Sequence, residues 1–259
     1  MASEAKPGPK TALDEPPEEA ALLKRWERTS AELVDARSVA DAIGSTLSAS
    51  IIERELPPAW PLREERLASL FGVSRTPIRE ALAGLANAGL ARRDNRGSLR
   101  VRGVTPEQIL DVYAVRRRLE GLAAALAAEA ATPRQIGYLK HLNRACEEAV
   151  AAGDAKRLAE ANNEFHAAMA RSTGNELLIQ FIEDVQKWVK RIPTTTLSYP
   201  GRSDQALAEH AQIIEAIEAR DPDRADQLAR DHMGVAEEIR MRMLREDPGA
   251  ELSERLAPD

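Results

Sequence analysis

Apolar residues recur with helical spacing along most of this chain. A stripe that repeats every fourth residue from Val39 to Ile51 predicts an amphipathic helix. The segment 67–82 then reads as two short amphipathic helices joined by a tight turn at 72–74, with Ser74 as the cap of the second helix. Because the two helices can share one small core, the pattern predicts a helix-turn-helix.

The outer face of the second helix carries residues suited to DNA. Arg75, Thr76 and Arg79 point away from the predicted core, and the two arginines lie one helical turn apart. Guanidinium groups pair well with phosphate oxygens and with guanine edges. We therefore expect Ser74, Arg75, Thr76 and Arg79 to contact DNA.

A hairpin is predicted directly after this helix. Leu90, Leu99 and Val101 indicate two short strands around a turn at 94–97. Together with the helix-turn-helix, the hairpin makes a winged helix. We expect Arg96 and Gly97, at the tip of the wing, to approach the minor groove or the backbone of DNA.

From Thr105 onward the pattern contains helices and no convincing strand. Thr105-Pro106 and Thr132-Pro133 look like capped helix starts, each with Gln at the third helical position. Four more helices are predicted, at about 154–172, 175–191, 203–219 and 221–245. The second half of the chain is thus expected to hold six helices.

The predicted fold class is mainly α, with an N-terminal winged helix-turn-helix and a C-terminal all-helical, six-helix bundle. Residues 1–30 are interpreted as a disordered tail, because residues 1 to about 20 are rich in Pro, Glu, Ala and Lys without sustained periodicity, although helical spacing begins at about Ala21. The DNA-binding domain is placed at 31–104. A ligand-binding and dimerisation domain follows at 105–246, with a flexible tail at 247–259.

Charge is unevenly placed along the 259 residues, whose net charge is −6. The segment 71–104 holds seven arginines against Glu80 and Asp94, so it carries +5 and leaves −11 for the remainder. A basic island in an acidic chain predicts a confined phosphate-contacting surface and a second module with another task.

Several classes of protein are excluded by composition. No apolar run approaches the roughly 20 residues of a transmembrane helix, and the N-terminus lacks a signal-peptide pattern. The single cysteine, Cys146, excludes an intramolecular disulfide and is expected to be a small core residue. We therefore expect a cytoplasmic protein without membrane contact.

Helical phase separates the four histidines. His141 points away from the apolar stripe of its helix, whereas His166, His210 and His232 point inward. An unpaired polar group buried there costs on the order of 1–3 kcal/mol. A divalent metal bound by these three imidazoles and by an oxygen of Asn162 would satisfy them. The alternative is core histidines hydrogen-bonded to one another or to a carboxylate.

Two strings carry a family resemblance. VSRTPIREAL at 73–82, followed by LANAGL at 85–90, resembles the GntR family of bacterial transcription regulators. The all-helical second domain resembles the FCD effector domain of the FadR-like branch. The resemblance implies a regulator, expected to be a repressor, that binds a palindromic operator and responds to a small carboxylate metabolite. A homodimer is also expected on physical grounds, because a single recognition helix buries too little DNA surface for high specificity.

The resemblance also bears on the candidate sites of the second domain. Metal-binding members of the family carry Asp-x-x-x-His on one helix and one His on each of the last two helices. The matching residues here are Asn162, His166, His210 and His232. The implied ion is zinc, nickel or manganese. Asn162 departs from the pattern, because an amide brings no negative charge and should weaken binding.

Arg116 starts a string where the family often has Arg-x-x-Leu-Glu. The resemblance implies an arginine that pairs with a ligand carboxylate. We expect no enzymatic activity. Two alternatives stay open, namely a metal-dependent enzyme that uses the three histidines and a metal-free regulator of the acyl-CoA-binding type.

Overall fold

The chain is described here by a computed structural model that covers residues 16–31 and 39–246. The helices are α1 (Pro17–Ala31), α2 (Val39–Ile52), α3 (Glu64–Phe71), α4 (Arg75–Asn87), α5 (Pro106–Ala130), α6 (Pro133–Ala151), α7 (Ala155–Arg171), α8 (Glu176–Lys190), α9 (Arg202–Glu218) and α10 (Pro222–Glu246), and the strands are β1 (Ala91–Arg93) and β2 (Leu99–Val101). Two compact units divide between Arg102 and Gly103. The mainly α fold class is confirmed, with a winged helix-turn-helix followed by six helices.

The helix-turn-helix forms where the apolar pattern indicates it. Gly72 ends α3 with a positive φ of 66°, a conformation that costs glycine little. Ser74 has the extended backbone of an N-cap residue before α4, although its side chain makes no capping hydrogen bond. Ile78 and Leu82 of α4 are buried in one core with Phe71 of α3. Burial of these side chains fixes which face of α4 remains in solvent.

The wing is an antiparallel pair in which Ala91 lies opposite Val101. The connection between α2 and α3, which contains Pro57, Pro58 and Pro61, adds a third segment to this pair. Leu62 N–H donates to the Leu99 carbonyl at 2.9 Å, and Val101 N–H donates to the Trp60 carbonyl at 3.0 Å. The connection therefore lies beside β2 as the outer segment of the sheet. Proline is tolerated in an outer segment because its outer side faces no neighbouring strand and needs no N–H donor.

The predicted tail at 1–30 is wrong for 17–30, which belong to the helix α1. Leu22 and Trp26, one turn apart, are buried in the core of the first unit. The Trp26 ring lies 4.9 Å from the Phe71 ring, and its Nε1–H donates to the Phe71 carbonyl at 3.2 Å. Two apolar residues at helical spacing thus outweigh the polar composition around them.

Ion pairs also join α1 to the rest of the first unit. Arg25 pairs with Glu53 and Glu55, and Arg66 pairs with Glu19. The pair with Glu55 raises the pKa of Arg25. The remaining part of the predicted N-terminal tail and the predicted C-terminal tail at 247–259 lie outside the described residues.

The second unit begins at the predicted helix caps. Thr105 and Thr132 each form a complete capping box with the glutamine three residues later. Cys146 is buried in this unit, as predicted, and desolvation raises the pKa of its thiol to about 11. No helix within the described residues is long and apolar enough to span a membrane.

Helices α5 and α10 approach each other closely in the second unit. Four alanines of α5, at 123, 124, 127 and 128, are fully buried. At Gly121, a Cβ atom would lie 2.5 Å from Asp226 Oδ1 and 2.7 Å from Arg230 Cγ, both on α10. Small residues on α5 therefore permit this approach.

The segment between α8 and α9 is held against the helical bundle. It contains a short 3-10 helix, Thr196–Ser198. The buried Arg240 donates to the Thr194 carbonyl at 2.7 Å and to its hydroxyl at 3.0 Å. These hydrogen bonds join the segment to α10 shortly before α9 begins.

Candidate functional sites

The first candidate site is the outer face of α4. Ser74, Arg75, Thr76 and Arg79 are all exposed, as the pattern indicated. They stand on the side of the helix opposite its buried residues. The structure thus brings the four together on one solvent-facing surface, with two cations at its centre.

Arg96 and Gly97 lie at the tip of the wing, where the sequence placed them. Asp94 shapes this turn, because its carboxylate accepts from the Arg96 and Ser98 backbone N–H groups at 3.0 and 2.9 Å. Gly97 has a φ of 79°, which explains glycine at that position. Arg100 donates to Asp94 at 2.6 Å and lowers the pKa of that carboxyl.

The second candidate site is a cluster of three buried histidines inside the helical unit. His166 on α7, His210 on α9 and His232 on α10 each offer a ring nitrogen within 4.8 Å of the other two. The Nε2 atoms of His210 and His232 lie 3.3 Å apart. The prediction that these three histidines point inward is confirmed, and His141 is exposed as expected.

A buried acid orients His166. Its Nδ1 lies 3.1 Å from a carboxylate oxygen of Glu120, and Arg116 Nε donates to the other oxygen at 3.1 Å. Desolvation by burial tends to raise the pKa of Glu120, but His166 and Arg116 outweigh it and lower that pKa to about 2. The ionised carboxylate can accept from His166 Nδ1, which leaves Nε2 for another partner.

A second acid stands in the same relation to His232. Its Nδ1 lies 2.6 Å from Glu209 Oε2, and Arg202 Nη1 donates to the same oxygen at 2.6 Å. Arg202 is itself buried at the start of α9, and its Nη2 also donates to the His232 carbonyl at 3.3 Å. Desolvation raises the pKa of Glu209 despite its contact with Arg202.

His210 has a different environment from the other two. Its ring stacks on Phe165, with ring centroids 4.0 Å apart and an interplanar angle of 18°. Among the described residues its Nδ1 has no hydrogen-bond partner. Desolvation lowers the pKa values of His210 and His232 well below 6.5, so both imidazoles are neutral near pH 7.

The donor set fits a divalent transition metal. Two nitrogens bound at about 2.0–2.1 Å in a tetrahedron lie about 3.3 Å apart, which is the separation between His210 Nε2 and His232 Nε2. Carboxylates on the Nδ1 atoms of ligating histidines are a usual feature of such sites. Asn162 lies half-buried on α7, one helical turn before His166. The same contacts also satisfy much of a metal-free histidine core.

Three residues of this site were not identified from the sequence as histidine partners: Glu120, Glu209 and Arg202. Glu120 stood in the string that drew attention to Arg116, and Glu209 directly precedes His210, so proximity in sequence was the available signal. Arg116 lies buried with its Nε committed to Glu120. Asn175 caps α8 through its side chain, which accepts from the Leu178 backbone N–H.

Comparisons with known proteins match both units. Residues 39–101 match the bacterial regulatory proteins of the gntR family, and residues 111–235 match the FCD domain. An Escherichia coli (strain K12) protein whose name assigns it to regulation of the L-lactate dehydrogenase operon is 30% identical over 221 residues, covering 76% of this chain and 84% of that protein.

One further relative and one solved structure agree with these matches. The "Probable D-xylose utilization operon transcriptional repressor" of Paenarthrobacter nicotinovorans is 29% identical over 221 residues, which cover 83% of this chain and 91% of that protein. The solved structure of E. coli McbR/YncC superposes with a TM-score of 0.62 at 22% identity, covering 82% of this chain and 99% of that one. The structural likeness shows the shared fold.

Proposed function

The chain belongs to the GntR family of bacterial regulatory proteins and carries an FCD domain, and on this premise we propose that it is a dimeric, ligand-responsive repressor acting on a palindromic operator in the cytoplasm. It is a transcription regulator and not an enzyme, because its family and its relatives are transcription regulators. The observation that carries the proposal is the exposed cationic face of α4. A small carboxylate is the proposed effector.

Recognition of the operator is assigned to α4 and the wing. Arg75 and Arg79 suit guanine edges and phosphates, and Ser74 and Thr76 can donate to phosphates. Arg96 and Gly97 at the wing tip approach the minor groove or the backbone. This assignment is supported by the exposure of all six residues on the first unit.

The proposed dimer interface lies on the helical unit. Val115 and Leu122 of α5 and Leu177 and Phe181 of α8 are large apolar side chains that remain exposed, and α5 packs against α8. Exposed apolar clusters of this kind mark protein interfaces. A second copy of the chain is the proposed occupant, because a twofold protein matches a palindromic operator.

The helical site is proposed to bind a divalent ion, of which zinc, nickel and manganese are the candidates. His166, His210 and His232 would supply imidazole nitrogens, and Asn162 an amide oxygen. A bound ion would supply a positive centre for an effector carboxylate. Arg116 lies one contact away through Glu120 and is proposed to pair with the same effector. The effector would control operator binding if it favours one arrangement of the two DNA-binding units over the other.

Operator binding is tested by replacing Arg79. Duplexes that the wild type binds are selected from a randomised library, and affinities are measured at fixed salt. Arg79→Ala should weaken specific binding by roughly 1–3 kcal/mol if Arg79 reads a base. Arg144→Ala removes the same charge from an exposed position of α6, outside the proposed DNA-contacting and dimer surfaces, and should have no such effect. Equal affinities for wild type and Arg79→Ala would contradict the assignment.

Metal binding is tested by restoring a carboxylate at residue 162. Asn162→Asp adds a negative charge beside a cationic site, so its metal affinity should exceed that of the wild type if the side chain is a ligand. His210→Ala should lower occupancy, whereas His141→Ala, on the exposed histidine, should leave it unchanged. Metal content after purification without added metal is the measurement. Full occupancy in His210→Ala, with no effect of Asn162→Asp, would leave the hydrogen-bonded histidine core as the explanation.

A further inference from the structure

Two carboxylates in the first turn of α3 contact the arginines of α4. Glu64 approaches Arg79 with both oxygens, at 3.1 Å to Nη2 and 3.4 Å to Nε. Glu65 accepts from Arg75 Nη2 at 2.6 Å. The hydrogen bond from Arg79 lowers the pKa of Glu64, so this carboxyl is ionised at neutral pH. Each of the two arginines on the outer face of α4 therefore has its own acidic partner.

Fold stability does not account for these pairs. The side chains of Arg75, Arg79 and Glu65 are 59%, 68% and 74% exposed, and such surface pairs contribute little to stability. Acids in the first turn do suit a helix N-terminus. On a surface that meets phosphates, however, each carboxylate weakens sequence-independent binding to DNA. A role of Glu64 and Glu65 in the DNA-bound protein would explain why two carboxylates lie on this surface.

The geometry at Arg79 suggests that function. Glu64 occupies the side of the guanidinium formed by Nε and one Nη2 hydrogen. The opposite edge, with Nη1 and the second Nη2 hydrogen, has no hydrogen-bond partner among the described residues, and the Arg79 side chain is 68% exposed. That edge is a planar two-donor fork that matches O6 and N7 of guanine. Holding the fork in one plane before binding reduces the rotamer freedom lost on the DNA.

We propose that Glu64 and Glu65 are positioning residues that hold Arg79 and Arg75 for guanine recognition and thereby determine operator specificity. The inference rests on the proposed function. Its signature is a pair of opposite effects. Loss of either carboxylate weakens discrimination between sequences, because the arginine is no longer fixed, and strengthens binding to arbitrary DNA, because one negative charge is gone.

The experiment uses the full chain and duplexes selected by the wild type from a randomised library. Affinities of wild type, Glu64→Gln and Glu65→Gln are measured for a selected duplex, for the same duplex with guanines changed to 7-deazaguanine, and for an unrelated duplex. Glu80→Gln is the matched control, because Glu80 is exposed on α4 and has no ion-pair partner among the described residues. Thermal unfolding checks that every variant is folded.

The ratio of selected to unrelated affinity should fall roughly tenfold in Glu64→Gln and in Glu65→Gln, as expected for loss of a bidentate base contact. Affinity for the unrelated duplex should rise. Glu80→Gln should leave the ratio unchanged. Substitution of the guanine read by Arg79 should cost the wild type more than it costs Glu64→Gln.

A double mutant separates positioning from a general charge effect. In an Arg79→Ala background, Glu64→Gln should not change the ratio further, because the side chain it positions is absent. The inference would be overturned if Glu64→Gln lowered the affinity ratio further in the Arg79→Ala background. It would also be overturned if the ratios of both single variants lay within about twofold of the wild-type ratio. Either result would leave the proposed regulator function standing. A wild type that selects no duplex would overturn both.

Discussion

A methyl group at residue 121 should show how tightly α5 and α10 pack. Glycine in a helix costs about 0.8–1 kcal/mol relative to alanine, so propensity alone favours Gly121→Ala. The added Cβ, however, would lie 2.5 Å from Asp226 Oδ1 and 2.7 Å from Arg230 Cγ. The carboxylate oxygen can rotate away. Arg230 Cγ lies close to the backbone of α10 and can move only by a rotamer change or a helix shift.

Overpacking of this kind costs typically about 1–3 kcal/mol, so Gly121→Ala should be neutral to destabilising. Gly137→Ala is the matched control, because Gly137 lies inside α6 and a methyl group added there would meet nothing within 4 Å. That variant should gain the full propensity term. The difference between the two variants isolates the steric term, which is about 2 kcal/mol at its midpoint.

Calorimetry of the full chain without metal should resolve the transition of the second unit. For a unit of about 150 residues, about 2 kcal/mol corresponds to a melting-temperature difference of about 4–8 °C, with Gly137→Ala the more stable variant. Equal stabilisation by both substitutions would refute the reasoning. It would mean that α5 and α10 have room for a methyl group between them.

Two further predictions concern the same unit. Phe181→Asp places a charge in the proposed dimer interface, so sedimentation at micromolar concentration should shift towards monomer, whereas Tyr138→Asp, at another exposed ring, should not. Because the folded-state pKa values of His210 and His232 lie well below 6.5, only the unfolded chain binds their protons as the pH falls below about 6.5. The melting temperature of the metal-free protein should therefore be constant above that pH and should fall as the pH drops below it. The measurement spans pH 7.5 to 5.5, roughly one unit either side of the histidine value. A melting temperature that does not change over this range would contradict the buried neutral state of the two histidines.

Local signals carried most of the fold. Thr105 and Thr132 indicate helix starts because a capping box is complete within four residues, and Gly72 marks the helix-turn-helix because the turn itself requires a positive φ. Helical phase likewise separates the exposed His141 from the three inward histidines. Such features depend on neighbours in sequence and can be read without knowing how helices pack.

The partners of the histidines could not be read in the same way. Glu120 reaches His166 across 46 positions, and Glu209 reaches His232 across 23, through contacts between different helices. Their pairing depends on which faces of α5, α7, α9 and α10 meet. Helix α1 was assigned to the tail although helical spacing is visible from about Ala21. Leu22 and Trp26 are too few to outweigh the polar composition until Phe71 is known to lie beside Trp26.

The family match to the first unit begins at residue 39, but its hydrophobic core begins earlier, with Leu22 and Trp26 of α1. A fragment cut at the family boundary would lose both side chains and uncover the Phe71 ring and the end of α3. The region that homology delimits is therefore shorter than the region that folds. Isolation of the DNA-binding unit requires residues from 16 onward, with the boundary set by packing.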